Sequence, residues 1–283
     1  MSRIGSLLVG LFAVFALAEP AMAQCNCTKT MIEQVKERGV IRVGVKNDAP
    51  YLGFTDEKGQ LAGFEIDLVN DMARRLGVKV EFEPVKASNR VQLLQQNRID
   101  LIVATVSHYR GRDQVVDFTI PYLYTPQTLL VRKGSGIRSV ADLAGKRIGL
   151  DAGSGGVKKL PQIQPKATIQ TYQNWPEAFF ALQRGLVDAV ATDNILLAGL
   201  RAEAPDPSAY EMLGKEGFYS GGFYAAVVRE NDSKSRDTIN FLLQDQWRDG
   251  TWHKLFDKWL GKESKLKMTL ADFGDFVVPN WDD

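Results

Sequence analysis

The same short phrase occurs twice in this chain, and in both places it ends a helix and opens a strand. Leu94-Gln95 stands six residues before Asp100 in LQQNRIDLIVAT, and Leu182-Gln183 stands six before Asp188 in LQRGLVDAVAT. The segments leading to each phrase are built alike. Val40 to Val45 is a β-rich run, and apolar side chains at Ile66, Val69, Met72, Ala73 and Leu76 share one helical face. Val78, Val80 and Phe82 then alternate with charges, as in a half-buried strand. Ser88 suits the N-cap of a helix over 89–96, and Ile99 to Ala104 reads as a buried strand. The second block runs through a strand at 127–131, a short helix at 139–143 and a strand at 147–150. A glycine-rich turn at 151–156 follows, then a helix, a strand at 167–172, a helix at 176–184 and a strand at 187–191. Such alternation predicts a mainly parallel sheet flanked by helices, formed twice. The strand at 222–228 and the helices at 234–248 and 251–260 are too little for a third core, so they are expected to return to one of the two lobes.

The beginning of the chain reads as an export signal. Arg3 supplies a basic start, Leu7 to Ala18 is an unbroken apolar run, and Pro20 precedes the small-x-small pattern Ala21-Met22-Ala23. That run falls short of the roughly 20 residues a bilayer-spanning helix needs, so cleavage behind Ala23 is expected. Met22-Ala23-Gln24 before Cys25 is a poor lipidation signal. Cys25 and Cys27 are separated by one residue, and a bridge between them would close a tiny loop, so they read as peripheral. Lys and Arg number 35 against 34 Asp and Glu, a net charge of +1. Nucleic-acid partners usually demand a basic excess, which is absent here. The 45% hydrophobic and 24% charged residues are ordinary for a globular protein, and the mature length of about 260 residues suits two modest domains.

Enzyme signatures are missing. His108 and His253 lie in different blocks with no carboxylate cluster beside them, and no G-x-S-x-G, H-E-x-x-H or P-loop occurs. Gly153-Ser154-Gly155-Gly156 does not follow the first strand, as a dinucleotide fingerprint requires. A run like this at a strand-to-helix turn either presents N–H groups to an anion or is simply a flexible turn. No metal and no organic cofactor is implied.

Three longer stretches carry a resemblance. GFEIDLVNDMARRL (63–76) resembles the G-F-D-x-D-[LV] signature of family 3 extracellular solute-binding proteins, the periplasmic amino-acid receptors of ABC importers. IDLIVATVSHYRGRDQVVDFTIPY (99–122) is similar to their D-x-x-x-A-x-x-x-T-x-x-R-x-x-x-x-D-F-S-x-P-Y segment. WRDGTWHKLFDKWLG (247–261) is similar to their closing W-x-x-x-G-T-Y-x-x-I-x-x-K-W-F-G. The resemblance implies an α/β, two-lobed periplasmic-binding-protein fold, each lobe a mainly parallel sheet flanked by helices, joined by a two-strand hinge. It places 28–124 with 222–261 in the first lobe, 125–221 in the second and 262–283 in a C-terminal tail. It implies a periplasmic, monomeric receptor that captures a small-molecule amino acid and delivers it to an ABC transporter membrane permease.

Family roles carry over residue by residue. Arg112 falls where an arginine grips the ligand α-carboxylate, a task suited to the guanidinium fork. Asp193, beside Thr192, falls where a carboxylate pairs the α-ammonium. Thr105 and Ser107 fall at the strand end that donates to the same carboxylate, and Ser154 and Gly155 at the second-lobe turn closing over it. The alternative readings are local: Arg112 pairing with Asp117, and Asp193 capping the next helix. The first-strand loop GVKNDAPYLGF (44–54) looks like the form found in acidic-amino-acid binders, which points Lys46 at a side-chain carboxylate with Arg90 as second contact. Glutamate, aspartate or their amides are the implied ligands. Departures from the pattern are Ala87, where an aromatic is common, and Asp151, where a hydrophobic residue or lysine is commoner. Asp151 either repels an acidic ligand and attracts a basic one, or pairs with Lys46 or Lys158. It is also the one candidate general acid for an enzyme, of the dehydratase kind, on the same scaffold. His108, Tyr109 and Arg110 read as surface residues. A sensor or adhesin role through the tail is the third reading.

Overall fold

The computed structural model describes residues 29–214, 217–274 and 276–279; residues 1–23, where an export signal is expected, and both cysteines lie outside the described residues. The chain opens with α1 (Met31–Arg38) and β1 (Val40–Val45), then a small antiparallel flap of β2 (Asp48–Ala49), β3 (Gly53–Thr55) and β4 (Leu61–Ala62). Next come α2 (Phe64–Leu76), β5 (Lys79–Pro84), α3 (Arg90–Gln95), β6 (Leu101–Ile102) and β7 (Asp117–Tyr124). The second block starts with β8 (Gln127–Arg132), β9 (Arg147–Asp151), α4 (Gly156–Ile163) and β10 (Thr168–Tyr172). It continues with α5 (Trp175–Gln183), β11 (Ala189–Asp193), α6 (Asn194–Ala202) and β12 (Tyr210–Met212). The chain returns with β13 (Phe223–Val228), α7 (Ser233–Arg248) and α8 (Thr251–Trp259).

Two five-stranded sheets result, ordered β5-β1-β6-β13-β7 and β10-β9-β11-β8-β12. In each, the first three strands are parallel, the fourth runs against both its neighbours, and the fifth points with the first three. The reversed strand in both sheets, β13 or β8, is the one that has just crossed from the other lobe. Each sheet is therefore mixed in its pairing although four of five strands share a direction. β8 and β11 are buried along almost their whole length, as central strands covered on both faces must be.

The repeated phrase has a structural cause. Asp100 accepts from the Arg42 backbone N–H at 2.8 Å and from its Nη2 at 2.8 Å; Asp188 does the same to Arg147, at 2.8 and 2.8 Å. In both lobes this bidentate pair ties the start of the third strand in the sheet, β6 or β11, to the second, β1 or β9. The burial differs. Asp100 is 2% exposed and also takes Arg38, whereas Asp188 is 22% exposed. Removing a buried partner strands its charges, so Asp100→Ala is expected to cost about 3 kcal/mol. Asp188→Ala is expected to cost about 1 kcal/mol, the scale of a solvated pair. Urea unfolding of the two variants checks this, and equal losses would contradict it.

The same aspartate shortens a strand. Over 99–104 only Leu101–Ile102 is strand, because Asp100 is spent on the arginines and Thr105 turns the chain at φ 50°. Ser88 is not the cap of α3; Asn89 occupies that place and its Oδ1 accepts the Lys86 N–H. Helix α2 starts at Gly63 (φ 133°), where any Cβ would strike the Leu52 carbonyl, so only glycine admits the flap against the helix.

Two crossings join the lobes, side by side: Thr125 N–H donates to the Gly222 carbonyl and Gln127 N–H to the Ser220 carbonyl, both at 2.7 Å. The α7–α8 pair covers the first sheet, with Trp252 fully buried and its Nε1 donating to the Tyr122 carbonyl at 2.9 Å. The tail packs on this core through Phe273, Phe276 and Val278, and Lys265 reaches Glu203 of α6 at 3.3 Å. Its anchors are single side chains on an irregular path, which leaves no periodicity. Among the described residues no helix is long and apolar enough to cross a membrane.

Candidate functional site

Between the lobes lies a small cavity of about 20 Å³. Arg90, Thr105, Ser107, Arg112, Ser154, Gly155, Thr192 and Asp193 line it; Lys46 and Asp151 do not.

The first-lobe wall is a clamped turn. Glu65, in the first turn of α2 and wholly buried, accepts the Thr105 N–H at 2.8 Å and the Tyr122 hydroxyl at 2.6 Å. This holds Thr105 in the left-handed region, a costly place for a β-branched residue. Arg90 grips the same turn from the other side, donating to the Ala104 carbonyl and, at 3.4 Å, to that of Thr105. Arg112 Nη1 donates to the Ser107 carbonyl at 2.6 Å, and Nη2 stands 3.5 Å from the Gly153 carbonyl of the second lobe. Burial disfavours both cations: it lowers Arg112, and with the like charge of Arg112 it brings Arg90 to about 10. A buried anion would relieve that cost.

The second-lobe wall carries the opposite charge. Asp193 ends β11 and is 5% exposed, with the Thr125 hydroxyl 3.1 Å from Oδ1 and the Thr192 hydroxyl 3.2 Å from Oδ2. Burial pushes its carboxyl above the usual range, and the neighbouring hydroxyls offset only part of that. No cation in the cavity pairs it. Two further polar atoms lining the space are buried without a hydrogen-bond partner, Ser154 Oγ and the Tyr219 hydroxyl. Buried polar atoms that face a cavity without a partner are available to the polar groups of a ligand.

The glycine run of 153–156 is a contact surface rather than a slack turn. A Cβ on Gly153 would collide with the backbone of Ala87 and Ser88 across the cleft, and one on Gly155 would meet the Tyr109 ring at 2.5 Å. The lobes meet again where the Tyr51 hydroxyl donates to Glu203 at 2.5 Å.

Tyr109 is a correction to the surface reading. Its hydroxyl bonds Gln127 and the Arg112 guanidinium stands 5.2 Å from its ring centre, so it bridges the lobes beside the cavity. His108 and Arg110 are exposed. The sequence reading also missed Gln127, Trp175 and Tyr219, all on the cavity wall. Gln127 opens a strand, Trp175 reads as one more apolar helix residue, and Tyr219 sits in an aperiodic crossing. Arg112 turns to the Ser107 and Gly153 carbonyls rather than to Asp117, and Asp193 occupies the N-cap place of α6 without a side-chain capping bond. Lys46 is 1% exposed and has its Nζ 2.9 Å from Asp48 and 4.0 Å from Asp151.

A cation and an anion facing one small cavity can hold a zwitterion, and two α/β lobes on a double crossing make a clamp around it. That architecture defines a two-lobed binding protein. The model of bacterial extracellular solute-binding proteins, family 3, matches residues 41–262, and the chain belongs to that family. A glutamine-binding protein of an ABC transporter in Bacillus subtilis is 32% identical over 275 residues, covering 93% of this chain and 99% of that protein. The glutamate-binding protein of Corynebacterium glutamicum is 30% identical over 273 residues, 93% of this chain and 92% of that protein. Among solved structures, a cysteine-binding protein from Campylobacter jejuni superposes with a TM-score of 0.79 at 31% identity, covering 86% of this chain and 98% of that one. The described residues contain no group of His, Cys, Asp and Glu able to hold a metal ion.

Proposed function

We propose that this protein is the substrate-binding component of an ABC importer, exported to the periplasm, which captures a free L-amino acid between its lobes and hands it to the membrane permease. The observation that carries this reading is the pair of opposite charges, half-buried Arg112 and buried Asp193, lining one cavity that also holds unpartnered Ser154 and Tyr219 hydroxyls. Arg112 takes the α-carboxylate, helped by Thr105 and Ser107 from below and Ser154 and Gly155 from above. Asp193, oriented by Thr192, takes the α-ammonium. Closure about the two crossings brings these halves together, and the closed form is what docks on the permease. An acidic or amide side chain is favoured, in keeping with the glutamine- and glutamate-binding relatives. A dehydratase role has less support, because Asp151 lies outside the cavity.

Titration calorimetry of the mature protein against the twenty amino acids is expected to give micromolar or tighter binding to a few of them. Small-angle scattering with the bound ligand should show a smaller radius than without it. Absence of heat for every amino acid would end this reading.

A further inference from the structure

The charge that the ligand side chain would meet is already spent. Lys46 is buried with its Nζ 2.9 Å from Asp48 Oδ1 and 4.0 Å from Asp151 Oδ2. Asp48 belongs to the first-lobe flap and Asp151 to the end of β9 in the second lobe, so the lysine is shared across the cleft. Asp151 also lies in the field of Arg90, the one member of the group that lines the cavity. Lys46 and Arg90 give two positive charges and Asp48 and Asp151 two negative ones; Glu65, wholly buried in the field of both cations, has its carboxyl pushed up by burial and adds no positive charge. The quartet sums to zero before any ligand enters, just as Arg112 and Asp193 balance each other and match a zwitterionic backbone.

On the footing that the cavity holds an amino acid, we infer that the Lys46–Asp48–Asp151 cluster, with Arg90, selects an uncharged polar side chain, a carboxamide such as that of glutamine, and discriminates against the corresponding acid. A side-chain carboxylate would bring a fifth charge into a neutral, desolvated group, and an unpaired buried charge is expensive. A carboxamide brings none. Asp151, buried behind the cavity wall with its Oδ2 lacking a hydrogen-bond partner, adds a field that favours a ligand N–H and repels a carboxylate oxygen.

The cluster makes opposite predictions for its two signs of charge. Calorimetry with glutamine, glutamate and arginine is run on the mature wild-type protein and on Asp151→Asn, Asp48→Asn and Lys46→Met, each checked for folding by circular dichroism melting. The wild type is expected to bind glutamine at least about tenfold more tightly than glutamate. Either asparagine variant leaves the group with one excess positive charge and should move the glutamine-to-glutamate ratio about tenfold towards glutamate. Lys46→Met leaves an excess negative charge and should raise arginine relative to glutamine. Two asparagine variants are included so that misfolding of one does not remove the test. Glutamate bound as tightly as glutamine by the wild type, or a ratio that neither asparagine variant moves, overturns the inference while leaving amino-acid capture standing. A wild type that binds none of the three while binding another amino acid overturns the inference alone, and one that binds no amino acid overturns capture as well.

Discussion

Arg112→Met is expected to remove amino-acid binding while leaving the protein folded and at least as stable as the wild type. The guanidinium is half-buried against the cavity and uses Nη1 on the Ser107 carbonyl, which fixes the plane of the fork. A ligand carboxylate arriving there forms charge-assisted bonds inside a desolvated wall. Without the arginine that carboxylate is buried unpaired, a loss of about 3–5 kcal/mol or roughly two to four powers of ten in Kd. Stability should not suffer, because burial penalises this cation and it raises the cost of Arg90 close by. Arg112→Lys separates charge from shape: a point charge should restore part of the affinity, but not the fork's two parallel bonds. Calorimetry and thermal melting together check the claim. A methionine variant binding within threefold of wild type (about 0.65 kcal/mol) would show that the α-carboxylate sits elsewhere.

What was legible beforehand follows how local each signal is. The twin phrases around Asp100 and Asp188 stand out because helix, turn and strand lie within a dozen residues and the same arginine bond closes both. The truncation of β6 was hidden, since Asp100 interrupts an apolar run only once Arg38 and Arg42, far earlier in the chain, are seen to claim it. Eight of the ten residues named for the cavity line it; Arg90 opens α3, and the others lie at strand ends or in the turns and loops that follow. Lys46 shows the limit. Residue type says that a lysine could meet a carboxylate, but not whether that carboxylate belongs to a ligand or to Asp48 two positions away. Tyr219 and Tyr109 were equally out of reach, because their places depend on how two lobes approach each other, and periodicity reports only on packing within one.

Asp193→Asn is expected to weaken binding by about 3 kcal/mol, roughly a hundredfold in Kd, while stabilising the ligand-free protein. The two effects have one origin. Burial raises the folded-state pKa of Asp193 above that of the unfolded chain, so between those values the native state holds more protons than the unfolded one. Stability contributed by this group therefore falls as pH rises through the window, and at neutral pH the ionised carboxylate is a cost carried for function. Asparagine keeps the shape without that cost: its Oδ1 can accept from one of the Thr125 and Thr192 hydroxyls, and its amide N–H can donate to the other. Binding runs the other way. An α-ammonium beside the carboxylate lowers its pKa, so capture expels a proton wherever the empty site is protonated. Wild-type affinity should then fall with acidification, by up to about one power of ten per pH unit below the raised pKa. The raised carboxyls of Asp151 and Glu65 add background to both proteins, and subtracting the asparagine profile isolates Asp193. Calorimetry from pH 7 to about pH 4, the unfolded-state value for aspartate, reads the difference directly. Parallel profiles for the two proteins would mean that the ammonium is held by something other than Asp193. A wild-type profile steeper than that of the variant, with the variant melting higher when empty, is the signature of a charge kept buried for its ligand.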